Sequence, residues 1–245
     1  MTGWLVAQAS RVDCRVRLFC LPFAGGGARV FRDWPAGLPA DVEVWAVLPP
    51  GRERRLAEPA LQRVDELAGH VAEAMVPLLD RPFALFGHSV GAVVAFEVVR
   101  RLRARGLAPV HFIASACRAP QLPRRQRLHG LPDEEMLEGL RSRGGLSDEV
   151  LRERELVSLL LPALRADVRM YETYRYAPQA PFAWPLTVVG GVDDDRVARA
   201  DLEAWSIHAG GRFAVRQLPG DHFFLRSAEP ELLRLIGGEL DGGRP

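Results

Sequence analysis

Lysine and asparagine are both missing from this chain of 245 residues. Every one of its 32 basic residues is therefore an arginine, set against 31 acidic residues and 6 histidines. Without lysine there is no Walker-type phosphate loop, which needs that side chain to reach the phosphates of a bound nucleotide. The bias reads as the codon usage of a GC-rich genome and says nothing about mechanism. An excess of one charge is also lacking: the formal net charge is +1, which gives no bulk attraction toward nucleic acid or a membrane surface. Cys14, Cys20 and Cys117 form an odd set without C-x-x-C spacing, as expected of buried free thiols in a reducing compartment. No apolar run approaches a membrane span, since the longest, around 92–99, is broken by Glu97. The first residues show no basic region followed by an apolar stretch, so no signal peptide is expected and the chain reads as cytoplasmic.

With 48% hydrophobic residues, the chain has enough apolar material for one full core, and a single α/β domain over 1–245 is the expectation. Short apolar runs bounded by Pro and Gly predict buried strands at 16–21, 42–48, 82–86, 110–115, 186–190 and 213–218. Helical spacing covers 64–79, the stretch from 92 to about 105 that Gly106 would cap, and 230–240; 241–245 reads as a frayed tail. Strands alternating with helices predict a mostly parallel sheet covered on both faces. One stretch breaks the alternation. About 70 residues separate Ser115 from Leu186, where a crossover needs only a dozen or so. Helical patterns at 133–143, 147–161 and 163–174 make 118–183 a helical lid inserted over the edge of the sheet.

Gly87-His88-Ser89-Val90-Gly91 lies between the 82–86 strand and a helix. A G-x-S-x-G pentapeptide in that setting reads as a nucleophile elbow, a sharp turn that exposes a serine hydroxyl above the sheet. A hydroxyl is a weak nucleophile until a base takes its proton. His222 is the candidate base, because it occupies a loop between a strand and the terminal helix within Gly220-Asp221-His222-Phe223-Phe224. His70 and His208 fall in exposed-looking helical patterns, and His88, next to the serine on an extended strand, points to the opposite face. The acid should follow a strand between Ser89 and His222. Asp193, Asp194 and Asp195 do so, with Asp194 favoured by register and Asp193 the alternative. Two N–H donors are needed for the oxyanion. Val90 offers one, and the loop Pro22-Phe23-Ala24-Gly25-Gly26-Gly27 the other, from Phe23 or, second, Ala24.

These segments resemble the type II thioesterases, the stand-alone editing enzymes of polyketide and nonribosomal peptide synthesis. The likeness runs from about 16 to 226. It rests on Leu21-Pro22-Phe23-Ala24-Gly25-Gly26, Leu48-Pro49-Pro50-Gly51-Arg52, the pentapeptide, Cys117-Arg118-Ala119-Pro120, Leu131-Pro132-Asp133, Leu161-Pro162-Ala163-Leu164-Arg165-Ala166-Asp167, Glu172-Thr173-Tyr174 and Pro219-Gly220-Asp221-His222-Phe223-Phe224-Leu225. Two departures stand out. Asp195 occupies a place where the family often has proline, which keeps Asp193 and Asp194 both open, and Asp221 replaces a common glycine beside His222. The resemblance implies an α/β-hydrolase fold and hydrolysis of acyl thioesters from the phosphopantetheine arm of an acyl- or peptidyl-carrier domain. It implies a monomer, with no metal and no bound cofactor. The lid would cover an acyl pocket beside Ala24, with Met170, Tyr171 and Tyr174 as candidate lining, or as mere packing of a lid helix. Arg124, Arg125 and Arg127 would be the dock for an acidic carrier. The alternatives are a medium-chain fatty-acyl thioesterase or general carboxylesterase on the same triad, and a non-catalytic binding protein of the same fold.

Overall fold

The computed structural model describes residues 3–123, 127–142, 144–146 and 148–242. Its strands are β1 (Leu5–Ala7), β2 (Val16–Leu21), β3 (Val42–Val47), β4 (Phe83–His88), β5 (His111–Ser115), β6 (Leu186–Gly191) and β7 (Phe213–Leu218). They form a sheet in the order β1-β3-β2-β4-β5-β6-β7. Every neighbouring pair is parallel except β1 on β3. The longer helices are α2 (Val64–Met75), α3 (Val90–Arg103), α6 (Arg154–Thr173) and α9 (Glu229–Asp241). Shorter ones are α1 (Trp34–Gly37), α4 (Asp133–Arg141), α5 (Asp148–Arg152), α7 (Arg199–Glu203) and α8 (Phe224–Ser227).

Strand alternation divides the core in two. On one face Phe19 and Leu21 of β2 and Phe83 and Leu85 of β4 pack with α2 and α3. On the other, Leu18 and Cys20 of β2 and Ala84 and Phe86 of β4 pack with Trp34 and α9. Both faces are covered, so the central strands are apolar throughout, which is why they read as continuous runs in the sequence. All three cysteines are buried, and none is in a disulfide. Among the described residues, no helix is long and apolar enough to cross a membrane.

Three expectations change. β1 was not anticipated: three residues cannot carry a periodic signal, and its place comes from pairing Leu5 with Val47 at the sheet edge. The 64–79 helix stops at Met75 and a 3-10 turn containing Pro77 follows, because a proline there removes a backbone donor. Pro162, expected to separate two helices, instead sits inside α6, which runs unbroken to Thr173. An interior proline costs about 3 kcal/mol. Burial of Ala163, Leu164, Ala166, Val168 and Met170 in the half of α6 that follows it holds the helix together in spite of it. Leu164 and Val168 join Leu128 and Met136 in a small separate cluster under the inserted segment.

His208 is also corrected: it is buried, not exposed, with Nε2 donating to Gln121 Oε1 at 2.7 Å and its ring among Phe96, Trp205 and Tyr176. Burial pushes both His208 and His111 down to about 4 from an ordinary 6.5. His88, wholly buried, is lowered well below its ordinary value, first by burial and then by the charge of His222. These folded-state values lie below the unfolded ones. The unfolded chain therefore takes up protons first, and the stability that the neutral rings contribute is present above pH 6.5 and lost as pH falls toward 4. Each titrating ring changes stability by roughly 1 kcal/mol per pH unit. Urea midpoints measured between pH 6.5 and 5, above the carboxylate range, should fall steadily. His208→Gln should flatten that slope by about one proton; an unchanged slope contradicts a neutral buried His208.

Candidate active site

The pentapeptide forms the turn between β4 and α3. Ser89 has φ 56° and ψ −121°, a left-handed conformation that an L-residue holds only under constraint. Close backbone contacts supply it. A Cβ on Gly87 would lie 2.4 Å from the Gly91 carbonyl oxygen, and one on Gly91 2.4 Å from those of Leu21 and Pro22. The Ser89 N–H donates to the Ser115 carbonyl at 2.8 Å, tying the turn to the end of β5. The serine is thus lifted off the strand with its hydroxyl free of the sheet.

His222 Nε2 lies 3.1 Å from Ser89 Oγ, and its Nδ1 lies 2.8 Å from Asp194 Oδ2. The carboxylate accepts from Nδ1, which leaves Nε2 as the acceptor facing the serine. Asp194 is buried, and its Oδ1 also accepts from the N–H groups of Arg196 at 2.9 Å and Val197 at 3.3 Å. Asp193 and Asp195 are both exposed, and Asp195 stands at the cavity wall without reaching the imidazole chain. The acid and histidine loops meet through Gly191, where a Cβ would fall 2.4 Å from the carbonyls of Gly220 and Asp221. Asp221 turns its carboxylate to the Phe223 N–H at 2.7 Å, closing its own loop.

His88 does face away from Ser89, as the strand alternation requires, yet it takes part in the site. Its Nε2 lies 2.9 Å from the His222 carbonyl, which can only accept, so Nε2 carries the proton and Nδ1 accepts from Ser115 Oγ at 3.0 Å. A neutral, buried His88 thereby holds the main chain of His222. A buried polar residue inside an otherwise apolar strand was the available signal for it.

Phe23 is buried, with its ring edge-on to His88 at 6.0 Å and to Phe223 at 5.2 Å. The turn it begins is closed by Gly26 N–H donating to the Phe23 carbonyl at 2.8 Å. Val90 opens α3, and the N–H of a first helical residue has no acceptor within its helix. Ala24, Ser89, Val90 and His222 line a cavity of about 220 Å³. Its far wall comes from the inserted segment, with Leu128, Leu140, Asp167, Val168, Tyr171 and Glu172. Met170 and Tyr174 do not line it. Met170 is buried behind Val90 in the main core, and Tyr174 donates its hydroxyl to Glu97 Oε1 at 2.7 Å, fastening α6 to α3. Asp167 with Tyr171 and Val168 with Glu172 are i,i+4 neighbours on α6 and reach the cavity together, whereas Tyr174 lies beyond the end of the helix at Thr173.

Two charged groups of the cavity wall are engaged by protein partners. Arg118 bonds to Asp201 at 3.0 Å and to the Pro123 carbonyl at 3.1 Å. Glu172 accepts from the N–H groups of Leu128 and His129 at 2.7 and 3.0 Å, and from His129 Nδ1 at 2.6 Å. A larger groove of about 790 Å³ runs beside α2, α3 and the end of α6, but it contains neither Ser89 nor His222.

A strained serine, a buried imidazole and a buried carboxylate in this order are the groups from which serine hydrolases build their sites. Residues 16–240 match the family model of the thioesterase domain. The chain belongs to that family and is a thioester hydrolase. Over 239 residues it is 40% identical to the gramicidin S biosynthesis protein GrsT of Aneurinibacillus migulanus, covering 97% of this chain and 93% of that one. It superposes on RedJ, a thioesterase of the prodiginine pathway in Streptomyces coelicolor, with a TM-score of 0.89 and 37% identity over 94% and 92% of the two chains. For BorB, the type II thioesterase of the borrelidin cluster, the TM-score is 0.90 and the identity 36%, over 97% of each chain. The fold is the α/β-hydrolase fold expected from the sequence.

The elbow itself is testable. Gly91→Ala places a methyl group on two backbone carbonyls that cannot yield. It should destabilise the protein by about 2 kcal/mol or more, seen as a drop of at least roughly 4 °C in the melting midpoint. An unchanged midpoint would show that β2 and α3 do not meet as closely as described.

Proposed function

We propose that this protein removes acyl groups from the phosphopantetheine arm of acyl- or peptidyl-carrier domains in polyketide or nonribosomal peptide synthesis, editing stalled or mis-primed chains. The observation that carries the reading is the chain of contacts from Ser89 through His222 to Asp194, at 3.1 and 2.8 Å, opening into a cavity of about 220 Å³. Ser89 Oγ attacks the thioester carbonyl as His222 Nε2 takes its proton, and Asp194 holds the imidazole and stabilises its charge. The N–H groups of Val90 and of Phe23, or Ala24 beside it, receive the oxyanion. Collapse breaks the C–S bond, and the proton on His222 passes to the departing pantetheine sulfur. A thiol, with a reference pKa near ~8.5, leaves far more readily than an alkoxide or amine. Water, deprotonated by His222, then attacks the acyl-Ser89 ester, and the proton returns to Ser89 as the carboxylic acid departs.

Residues 118–183 act as the lid: α6 from this segment supplies Asp167, Val168, Tyr171 and Glu172 to the wall opposite Ser89. A volume of about 220 Å³ with a partly polar lining favours short acyl groups. Ala24 borders that space, whereas Met170 and Tyr174 have no part in it. The carrier docks on the arginines before α4. Of these Arg127 is exposed, on a cleft that shares Glu172 with the acyl cavity, while Arg124 and Arg125 lie outside the described residues. The proposed groups all come from one chain, in keeping with a monomer, and three cysteines outside any disulfide suit the cytoplasm.

Mass spectrometry of carrier domains loaded with short, branched and long acyl groups tests this. Short groups should be unloaded first; carriers left fully charged in every case, or simple oxoesters cleaved equally fast, would overturn it. Ser89→Ala should abolish covalent labelling by a fluorophosphonate and lower turnover at least ~10³-fold. Asp194→Asn should lower kcat by roughly 10²–10⁴-fold. Asp193→Asn, at an exposed position, should leave kcat unchanged; the reverse ranking moves the acid to Asp193. If arginines steer an acidic carrier, added salt should lower kcat/KM for the carrier substrate and spare that for a small N-acetylcysteamine thioester.

A further inference from the structure

Two of the sequence segments, 48–52 and 161–167, end in Arg52 and Asp167, which no step above uses. Both side chains are buried, each 5% exposed. Their contact is a two-pronged fork: Arg52 Nη1 donates to Asp167 Oδ2 at 2.7 Å and Nη2 to Oδ1 at 3.0 Å. The pair does more than join the β3 loop to α6. Asp167 Oδ2 also accepts the Gly25 N–H at 2.8 Å, and Arg52 Nη1 donates to the Gly26 carbonyl at 3.0 Å. The carboxylate therefore grips the glycine turn by an amide and the guanidinium grips it by the next carbonyl. Leu164, one helical turn before, fills the place where a Gly25 side chain would stand, 2.6 Å from its Cβ position. Gly25 has φ +78°, which suits glycine and little else.

We infer that Asp167, fixed by Arg52, is a positioning residue that sets the aim of the oxyanion donor in the Phe23–Ala24 turn, and does so from the inserted segment. The inference rests on the serine-hydrolase reading above. A run of three glycines is conformationally permissive backbone, and donors work only when their direction is settled before the charge develops. Gly26 N–H closes the turn onto the Phe23 carbonyl, so a clamp on Gly25 and Gly26 is transmitted directly to the N–H groups of Phe23 and Ala24. Because Asp167 belongs to α6, the donor is aimed only while that helix is seated.

A buried ion pair with a purely structural role can be exchanged for apolar residues of similar volume with little loss of stability. This separates the two possibilities. Asp167→Asn and the double variant Arg52→Met with Asp167→Leu are compared with wild type on a propionyl N-acetylcysteamine thioester. Labelling of Ser89 by a fluorophosphonate is followed in parallel, since its phosphonyl oxygen needs the same donors. Both variants should lose roughly 10–100-fold in kcat and in labelling rate, with KM nearly unchanged. The shape of the pH profile should stay as in wild type, since the Ser89–His222–Asp194 contacts are untouched. Asp167→Glu, which keeps the charge, should recover part of the loss. A folded double variant that labels and turns over like wild type would overturn the inference, as would a loss confined to KM, which would make Asp167 a substrate contact. Should the double variant fail to fold, the near-isosteric Asp167→Asn decides by the same criteria. A wild-type protein that labels without cleaving the thioester refutes the substrate reading and leaves the clamp to be judged by labelling; one that does neither removes both.

Discussion

The close approach of four backbone segments at the carboxyl ends of the strands is the constraint on which this site depends. The turn at Ser89 exists because Gly87 and Gly91 let β4, α3 and the end of β2 touch at distances no side chain would permit. The histidine and acid loops touch through Gly191 in the same manner. Side-chain chemistry is laid over that frame: His88 reaches from the strand under Ser89 to the carbonyl of His222, so the proposed nucleophile and its proposed base share one support. The strained serine is held from both sides, by the Ser115 carbonyl and by the first turn of α3. The free energy for such strain comes from the two apolar cores beneath it.

How much of this could be read in advance followed from where each signal resides. The parallel sheet was legible because strands buried on both faces are apolar without interruption, and the elbow because its glycines answer local clashes. The short edge strand β1 and the continuity of α6 through Pro162 were not, since both are decided by contacts with distant residues: Val47 for the one, the core beneath 163–170 for the other. His208 misled for a similar reason. A histidine in a loosely helical stretch carries no local mark of the aromatic cage that Phe96, Trp205 and Tyr176 build around it. The lining of the cavity was half legible. Periodicity identified the helix but not which of its residues reach the cavity: Tyr171 lines it, Met170 is buried in the core and Tyr174 bonds Glu97.

The abundance of arginine bears on this architecture. Arginine presents a flat fork that can satisfy two acceptors at fixed angles, while an ammonium group cannot. The inserted segment exploits this where it meets the rest of the chain, with Arg52 forked on Asp167 and Arg118 on Asp201, while Arg165 ties the segment to itself through the carbonyls of His129 and Leu131. A segment with only a small apolar cluster of its own is thus oriented by charge-assisted contacts to the body of the protein.

Pairing of charge also bears on how a cavity edged by so many ionisable groups would receive the proposed acyl chain. An unpaired buried charge would draw in water and repel an apolar group. Here Asp167 is held by Arg52 and Gly25, Glu172 by His129 and the Leu128 amide, and Asp194 by His222 and two backbone amides. In the proposed mechanism, proton transfer at the cavity floor falls to the imidazole whose second nitrogen faces the serine, which would confine the chemistry to Ser89 and leave the wall above to fit the chain.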